Sequence, residues 1–136
     1  MDTLADAAIR DFFSHYGATL TSGRPETIAA CYVAPGLIVG DGRSTAIADV
    51  AEVAAAFDGS AERYAEQGLV GAVPDVVAIE RLSDGVASVD VHWDYTDRDG
   101  NSRAEDGYRY LLAATGDGPK IRVVIATSAR LRRGES

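Results

Sequence analysis

The chain has 136 residues, of which 46% are hydrophobic and 25% are charged, and its formal net charge is −8. This length and balance are typical of one domain, 1–136, which needs no disulfide or structural metal to fold. The acidic balance argues against nucleic-acid binding and against docking on anionic lipid, because both need clustered Lys and Arg. We expect an ordered core over about 3–129, followed by a short solvated basic tail that carries Arg130, Arg132 and Arg133.

The cellular compartment is indicated by three features of the sequence: its single cysteine, its N-terminal residues and its lack of long apolar runs. Cys31 is the single cysteine, so no disulfide can form within the chain, which fits a reducing compartment. The N-terminal residues contain no apolar run of signal-peptide length, and no stretch of about 18 apolar residues could span a membrane. We therefore expect a cytoplasmic protein without membrane contact.

Two helices are predicted in the first quarter of the chain. Apolar residues at helical spacing indicate a first helix that Thr3 caps and Gly23 ends. Pro25 suits the first turn of a short second helix that runs through Cys31.

A short strand over 37–39 and a third helix follow. Asp49 and Glu52 have the spacing of a capping box, so we place the start of this helix there. A further helical piece after the Asp58-Gly59-Ser60 interruption ends at Gly68.

The second half of the chain alternates apolar and polar residues and predicts four antiparallel strands. Their ranges are 73–82, 86–96, 102–115 and 121–128. Helices followed by a meander of strands predict an α+β fold with the helices on one sheet face.

Strand register decides which side chains point inward. If Asp99-Gly100 forms a two-residue turn, Trp93 pairs with Asp106, and cross-strand partners share a face. The same register pairs Asp90 with Arg109 on the outer face, where opposite charges support it. A three-residue loop would invert the faces and stays as the alternative. The predicted inner side chains are Trp93, Tyr95, Asp106, Tyr108 and Tyr110.

Three segments resemble the NTF2-like superfamily, which includes SnoaL-like cyclases and ketosteroid isomerases. They are 22–26, 30–39 with the third helix, and the closing Gly118-Pro119-Lys120-Ile121. The resemblance implies a cone-shaped fold in which three N-terminal helices pack on a curved antiparallel sheet and enclose a pocket. It also implies pairing of two chains through the outer sheet face.

The ketosteroid isomerase pattern is only partly present. Tyr16 stands seven residues before Gly23 and matches the tyrosine of that family. The position of the family's general base falls on Gly40, with Asp41 adjacent, and its second acidic group falls near Tyr110. The resemblance therefore does not support steroid isomerisation, although it leaves a related proton transfer open.

The predicted site combines a carboxylate with tyrosine hydroxyls in an apolar cone. Burial raises the pKa of a carboxyl group and lets it exchange a proton near neutrality. The alternative is a hydrated Asp106 at the rim, with tyrosines that serve only as amphipathic core residues. The predicted catalytic residues are Asp106, Asp41, Tyr16 and Tyr110. The predicted ligand-binding residues are Trp93, Tyr95, Tyr108, Tyr32, Phe57 and Val91.

No cofactor or metal is predicted. Asp90, His92 and Asp94 share one strand face, but Arg109 competes for Asp90 and no second histidine is near in sequence. The leading function is therefore binding of a small apolar or aromatic ligand, with proton-transfer catalysis as an extension. The alternative is a noncatalytic association module with a filled cone. A homodimer is expected through the outer face, where we place Leu111, Val124 and Arg109.

Overall fold

The computed structural model describes residues 3–40 and 42–127 and contains four helices and six strands within these ranges. The helices are α1 (Asp6–Ser22), α2 (Pro25–Ala29), α3 (Val50–Ala56) and α4 (Ser60–Glu66). The strands are β1 (Tyr32–Gly40), β2 (Arg43–Ile47), β3 (Gly71–Ser83), β4 (Val86–Thr96), β5 (Ser102–Thr115) and β6 (Gly118–Thr127). The predicted basic tail lies outside the described residues. None of the helices in the described ranges has the length and apolar character needed to cross a membrane.

Helix α1 packs its apolar stripe on the inner face of the sheet. Ile9, Phe13 and Tyr16 on this stripe are buried. The helix begins three residues after the predicted cap Thr3: Ala5 is the N-cap and no side chain caps the end. The predicted end at Gly23 is confirmed, because the Gly23 N–H donates to the carbonyl of Thr19 at 2.9 Å.

Helix α3 begins as the capping spacing predicts. Oδ1 of Asp49 accepts a hydrogen bond from the N–H of Ala51, and Oε1 of Glu52 accepts one from the N–H of Ala48, both at 2.8 Å. Gly59, with φ of 81°, then separates α3 from α4. The helical layer therefore has four helices instead of the three that the resemblance implies.

The six strands form one curved, open sheet in the order β2-β1-β6-β5-β4-β3. Strands β1 and β6 run parallel, so the sheet is mixed and not wholly antiparallel as predicted. Strand β2 was not predicted, because residues 43–46 are all exposed and carry no apolar alternation.

The register between β4 and β5 agrees with the prediction. Trp93 pairs with Asp106 and Asp90 with Arg109, whose Nε lies 2.7 Å from Oδ1 of Asp90. The loop is longer than two residues: Thr96 pairs with Ser102, and a register shift next to Tyr95 restores the predicted alignment. The inward set of side chains on both strands follows from this alignment.

The register between β5 and β6 corrects one prediction. Ala113 pairs with Lys120, but a shift between Leu111 and Leu112 pairs Tyr110 with Val124. One extra residue in β6 moves every later side chain of that strand to the other face. Val124 therefore lies inside, on the face of Tyr110, and is 6% exposed instead of forming part of the outer surface.

Candidate ligand cavity

A cavity of about 130 Å³ lies between the helices and the inner face of the sheet. Seven of its eleven lining side chains are aromatic rings with a polar hydroxyl or N–H. The lining residues are Tyr16, Leu20, Tyr32, Ile38, Phe57, Tyr64, Trp93, Tyr95, Tyr108, Tyr110 and Val124. An engineered apolar cavity of roughly 150 Å³ is known to bind benzene. The space therefore matches a molecule built on one six-membered ring.

The deep wall of the cavity holds two hydrogen-bonded aromatic pairs. The hydroxyl oxygens of Tyr16 and Tyr32 are 2.7 Å apart, and Nε1–H of Trp93 donates to the hydroxyl of Tyr110 at 2.9 Å. Trp93 is 0% exposed, which confirms its predicted burial, and its side chain lines the cavity. These contacts fix the rings, because each buried polar atom that they join has its partner within the wall.

The mouth of the cavity carries the carboxylate. The hydroxyl of Tyr95 donates to both oxygens of Asp106, at 3.0 and 3.2 Å. Asp106 itself lies just outside the lining and is half-buried, while Tyr64 stacks on Tyr95 with ring centroids 5.5 Å apart. Burial raises the pKa of the Asp106 carboxyl group, against the opposing effects of the Tyr95 hydrogen bond and the nearby His92.

Tyrosine hydroxyls around the cavity are held in their neutral form. Burial raises the pKa of Tyr16 and Tyr110 well above the usual value. Burial, together with the charge of Asp106, also raises the pKa of Tyr108 to about 12. Near neutral pH these groups are therefore hydrogen-bond donors and acceptors, not anions.

The carboxylate of Asp106 and the deep wall of the cavity lie at different points along β5. Asp106, Tyr108 and Tyr110 alternate with outward residues on β5, so Asp106 and Tyr110 are about 13 Å apart at their Cα atoms. Tyr108 lies between them, and its ring centroid is 6.0 Å from that of Tyr110. The structure thus brings Asp106 together with Tyr95 and Tyr108 at the mouth, and Tyr16 together with Tyr32 and Tyr110 in the deep wall.

Two of the predicted site residues that the structure describes, Val91 and Asp106, are not part of the cavity lining. Val91 is 2% exposed and belongs to the hydrophobic core, between Val76 of β3 and Tyr108 of β5 in the sheet. Asp41 lies outside the described residues.

Four lining residues were not predicted as site residues. They are Leu20, Ile38, Tyr64 and Val124. Leu20 was visible on the apolar stripe of α1, and Ile38 alternates with exposed Leu37 on β1. Tyr64 carries no distinguishing signal in sequence, and Val124 depends on the shift in β6.

Residues 5–129 match a family described as NTF2-like protein (DUF6841). The chain belongs to this family. No curated protein sequence matches it at a significant level. The family assignment confirms the cone-type α+β fold, and known NTF2-like proteins include some enzymes.

Solved structures share the fold at low sequence identity. An NTF2-like protein of unknown function from Shewanella oneidensis has a TM-score of 0.67 and 16% identity, over 87% of this chain and 94% of its own. A candidate scytalone dehydratase from Novosphingobium aromaticivorans has a TM-score of 0.66 and 15% identity, over 90% and 82%. A candidate calcium/calmodulin-dependent protein kinase II association domain from Xanthomonas campestris has a TM-score of 0.63 and 16% identity, over 91% and 88%.

Proposed function

We propose that this NTF2-like protein binds a small, single-ring apolar or aromatic molecule and transfers a proton on it at the mouth of the cavity. The observation that carries the proposal is an aromatic-lined space of about 130 Å³ that ends at the hydrogen-bonded pair of Tyr95 and Asp106. An apolar pocket with a few convergent polar groups is the usual form of a small-molecule site.

The chemistry follows from the positions of these groups. The Asp106 carboxylate accepts a proton from the carbon next to a ligand carbonyl, and the electron pair of that C–H bond moves onto the carbonyl oxygen. In this proposal the neutral hydroxyl of Tyr108 donates a hydrogen bond to the resulting enolate. The protonated Asp106 then returns the proton to carbon, so the acid and base are regenerated.

Ligand binding is tested with a small cyclic ketone such as cyclohex-2-enone as the probe. Added to the labelled protein, it should shift the indole N–H resonance of Trp93 and the backbone resonances of Tyr108 in NMR spectra. Saturable shifts confined to the cavity support binding. Unchanged spectra at millimolar probe would contradict it.

Proton transfer is tested by incorporation of solvent deuterium next to the carbonyl of the same class of ketone. The hydrogen at this position should exchange faster in the presence of wild-type protein than in buffer alone. Asp106→Asn should remove this acceleration. Asp58→Asn is the matched control, because Asp58 is an exposed carboxylate at the α3–α4 junction. Equal exchange rates with wild type and Asp106→Asn would overturn the catalytic part and leave the binding part standing.

Association of two chains is a second candidate function, favoured by the outer sheet face. Leu111 on β5 lies opposite Val123 on β6, next to Ile125, and all three are partly exposed apolar side chains. A contiguous apolar patch of this kind often marks an interface. The patch replaces the predicted one, since Val124 points inward, and Arg109 with Asp90 would lie at its edge. A filled cone, as an association module would have, does not fit the open volume of the cavity.

A further inference from the structure

The outer face of the sheet carries a cluster of ligating side chains that is separate from the cavity. His92 and Asp94 lie two residues apart on β4 and share that face, and Glu105 on β5 pairs with Asp94. One donor atom from each of the three lies within 4.8 Å of the others. The register of β4 and β5 therefore gathers an imidazole and two carboxylates at one point.

His92 distinguishes this cluster from a group of surface acids. Its side chain is only 3% exposed, although it lies on the outer face. Within the described ranges, neither ring nitrogen of His92 has a hydrogen-bond partner. Buried polar atoms in native proteins are nearly always hydrogen-bonded, so an exception calls for an ion or a water at that place.

The geometry favours an ion. Nε2 of His92 lies 2.8 Å from Oε1 of Glu105 and 3.8 Å from Oδ1 of Asp94. The shorter contact is not aligned for a hydrogen bond, because the N–H direction points past the oxygen. At bond lengths of about 2.0–2.2 Å, neighbouring donors on one metal ion lie roughly 3 Å apart. The Glu105 contact has this spacing, and Oδ1 of Asp94 would move closer to Nε2 when an ion binds.

We propose that His92, Asp94 and Glu105 bind a first-row divalent cation of the Zn²⁺ type, through Nε2 and one oxygen of each carboxylate. Imidazole with carboxylate ligands suits such ions, whereas Mg²⁺ and Ca²⁺ prefer sites built of oxygen donors. Arg109 does not compete for this site, because its guanidinium is paired with Asp90 at 2.7 Å. The sequence predicted no metal site because it grouped His92 with residues of its own strand, including Asp90. Glu105 becomes a neighbour of His92 only through the pairing of β4 with β5.

The test uses the full untagged chain after treatment with a chelator, titrated with Co²⁺, whose visible absorption reports its ligands. One Co²⁺ per chain is expected, and Zn²⁺ should displace it while Mg²⁺ at the same concentration should not. His92→Gln should abolish the signal, and Glu105→Gln and Asp94→Asn should each weaken binding at least tenfold. His15→Gln is the matched control, because His15 is exposed on α1 and should leave binding unchanged.

Three results with wild-type protein and His92→Gln would overturn the proposal. They are no saturable Co²⁺ binding at millimolar concentration, binding that is equal in wild type and His92→Gln, and displacement by Mg²⁺ as effective as by Zn²⁺. If His92→Gln fails to fold, Glu105→Gln serves as the second test. The Glu105 side chain is 40% exposed and glutamine has the same shape, so this variant should keep the fold. Circular dichroism of each variant shows whether the fold is retained, and undiminished affinity in folded Glu105→Gln would also refute the site.

Discussion

Gly17→Ala sets two physical effects of opposite sign against each other. Alanine in a helix interior is about 1 kcal/mol more favourable than glycine. A Cβ atom at Gly17, however, would lie 2.7 Å from the carbonyl oxygen of Ala72 and 2.9 Å from Cζ3 of Trp93. Neither neighbour can yield easily, because Ala72 is held in the β3–β4 ladder and Trp93 is fully buried and hydrogen-bonded to Tyr110.

The steric effect should therefore exceed the helix propensity. Overpacking costs about 1–3 kcal/mol, and two rigid contacts place this substitution at the upper end. We expect a net loss of about 2 kcal/mol in the free energy of unfolding, which corresponds to a fall in Tm of roughly 6–10 °C.

Urea denaturation at 25 °C, followed by Trp93 fluorescence, measures this difference directly. Gly85→Ala is the control, because no atom lies within 4 Å of an added Cβ there and its φ is not positive. The control should stay within about 0.5 kcal/mol of wild type. A Gly17→Ala variant as stable as wild type, or more stable, would show that α1 moves away from the sheet at little cost and would refute the reasoning.

Three further predictions concern Trp93, Asp106 and Leu111. Trp93→Ala should lower the free energy of unfolding by about 3 kcal/mol or more in a denaturant titration, since it empties a buried site; a loss below about 1 kcal/mol would contradict the packing. The pKa of Asp106 is raised in the folded state, so protonation of this carboxyl group favours the folded protein. Its contribution to the free energy of unfolding is fully present below the unfolded pKa and is lost as pH rises through the folded pKa. Asp106→Asn should therefore be more stable than wild type at pH 7 by urea titration, and the advantage should shrink toward pH 4; lower stability at pH 7 would contradict it. Leu111→Glu should turn a dimer into a monomer in sedimentation velocity, because a two-fold interface places the new charges near each other; a wild-type monomer at micromolar concentration would rule the dimer out.

Strands β4 and β5 were predictable because two independent signals agree on them. Apolar and polar residues alternate over 88–96 of β4, and a turn signal at Asp99-Gly100 fixes the pairing to within one residue. The opposite charges of Asp90 and Arg109 then select the register that the structure has. Helix α1 was predictable for a similar reason, except at its start, where Thr3 offered a cap that the chain does not use.

The rest of the cavity depends on features that leave no mark in local sequence. A single extra residue in β6 turns Val124 inward, and the residue types of that strand do not indicate the shift. Tyr64 reaches the mouth because α4 is a separate helix that begins after Gly59. The turn at Gly59 sets the direction of α4, and the residue pattern of α4 does not show that direction. Glu105 joins His92 only through cross-strand pairing, so a linear search for metal ligands passes over it.

Two neighbouring rungs of the β4–β5 ladder carry both proposed sites. Trp93 and Asp106 form one rung on the inner face of the sheet, while Asp94 and Glu105 form the next on the outer face. Because side chains alternate at every residue, a slip of one position would exchange the two sets and place the carboxylates of the cluster against the aromatic core. Burial of such unpaired charges is strongly unfavourable. The polar outer rung therefore specifies the register of the aromatic inner one, and a cation bound at the outer rung would strengthen the same alignment from the other side of the sheet.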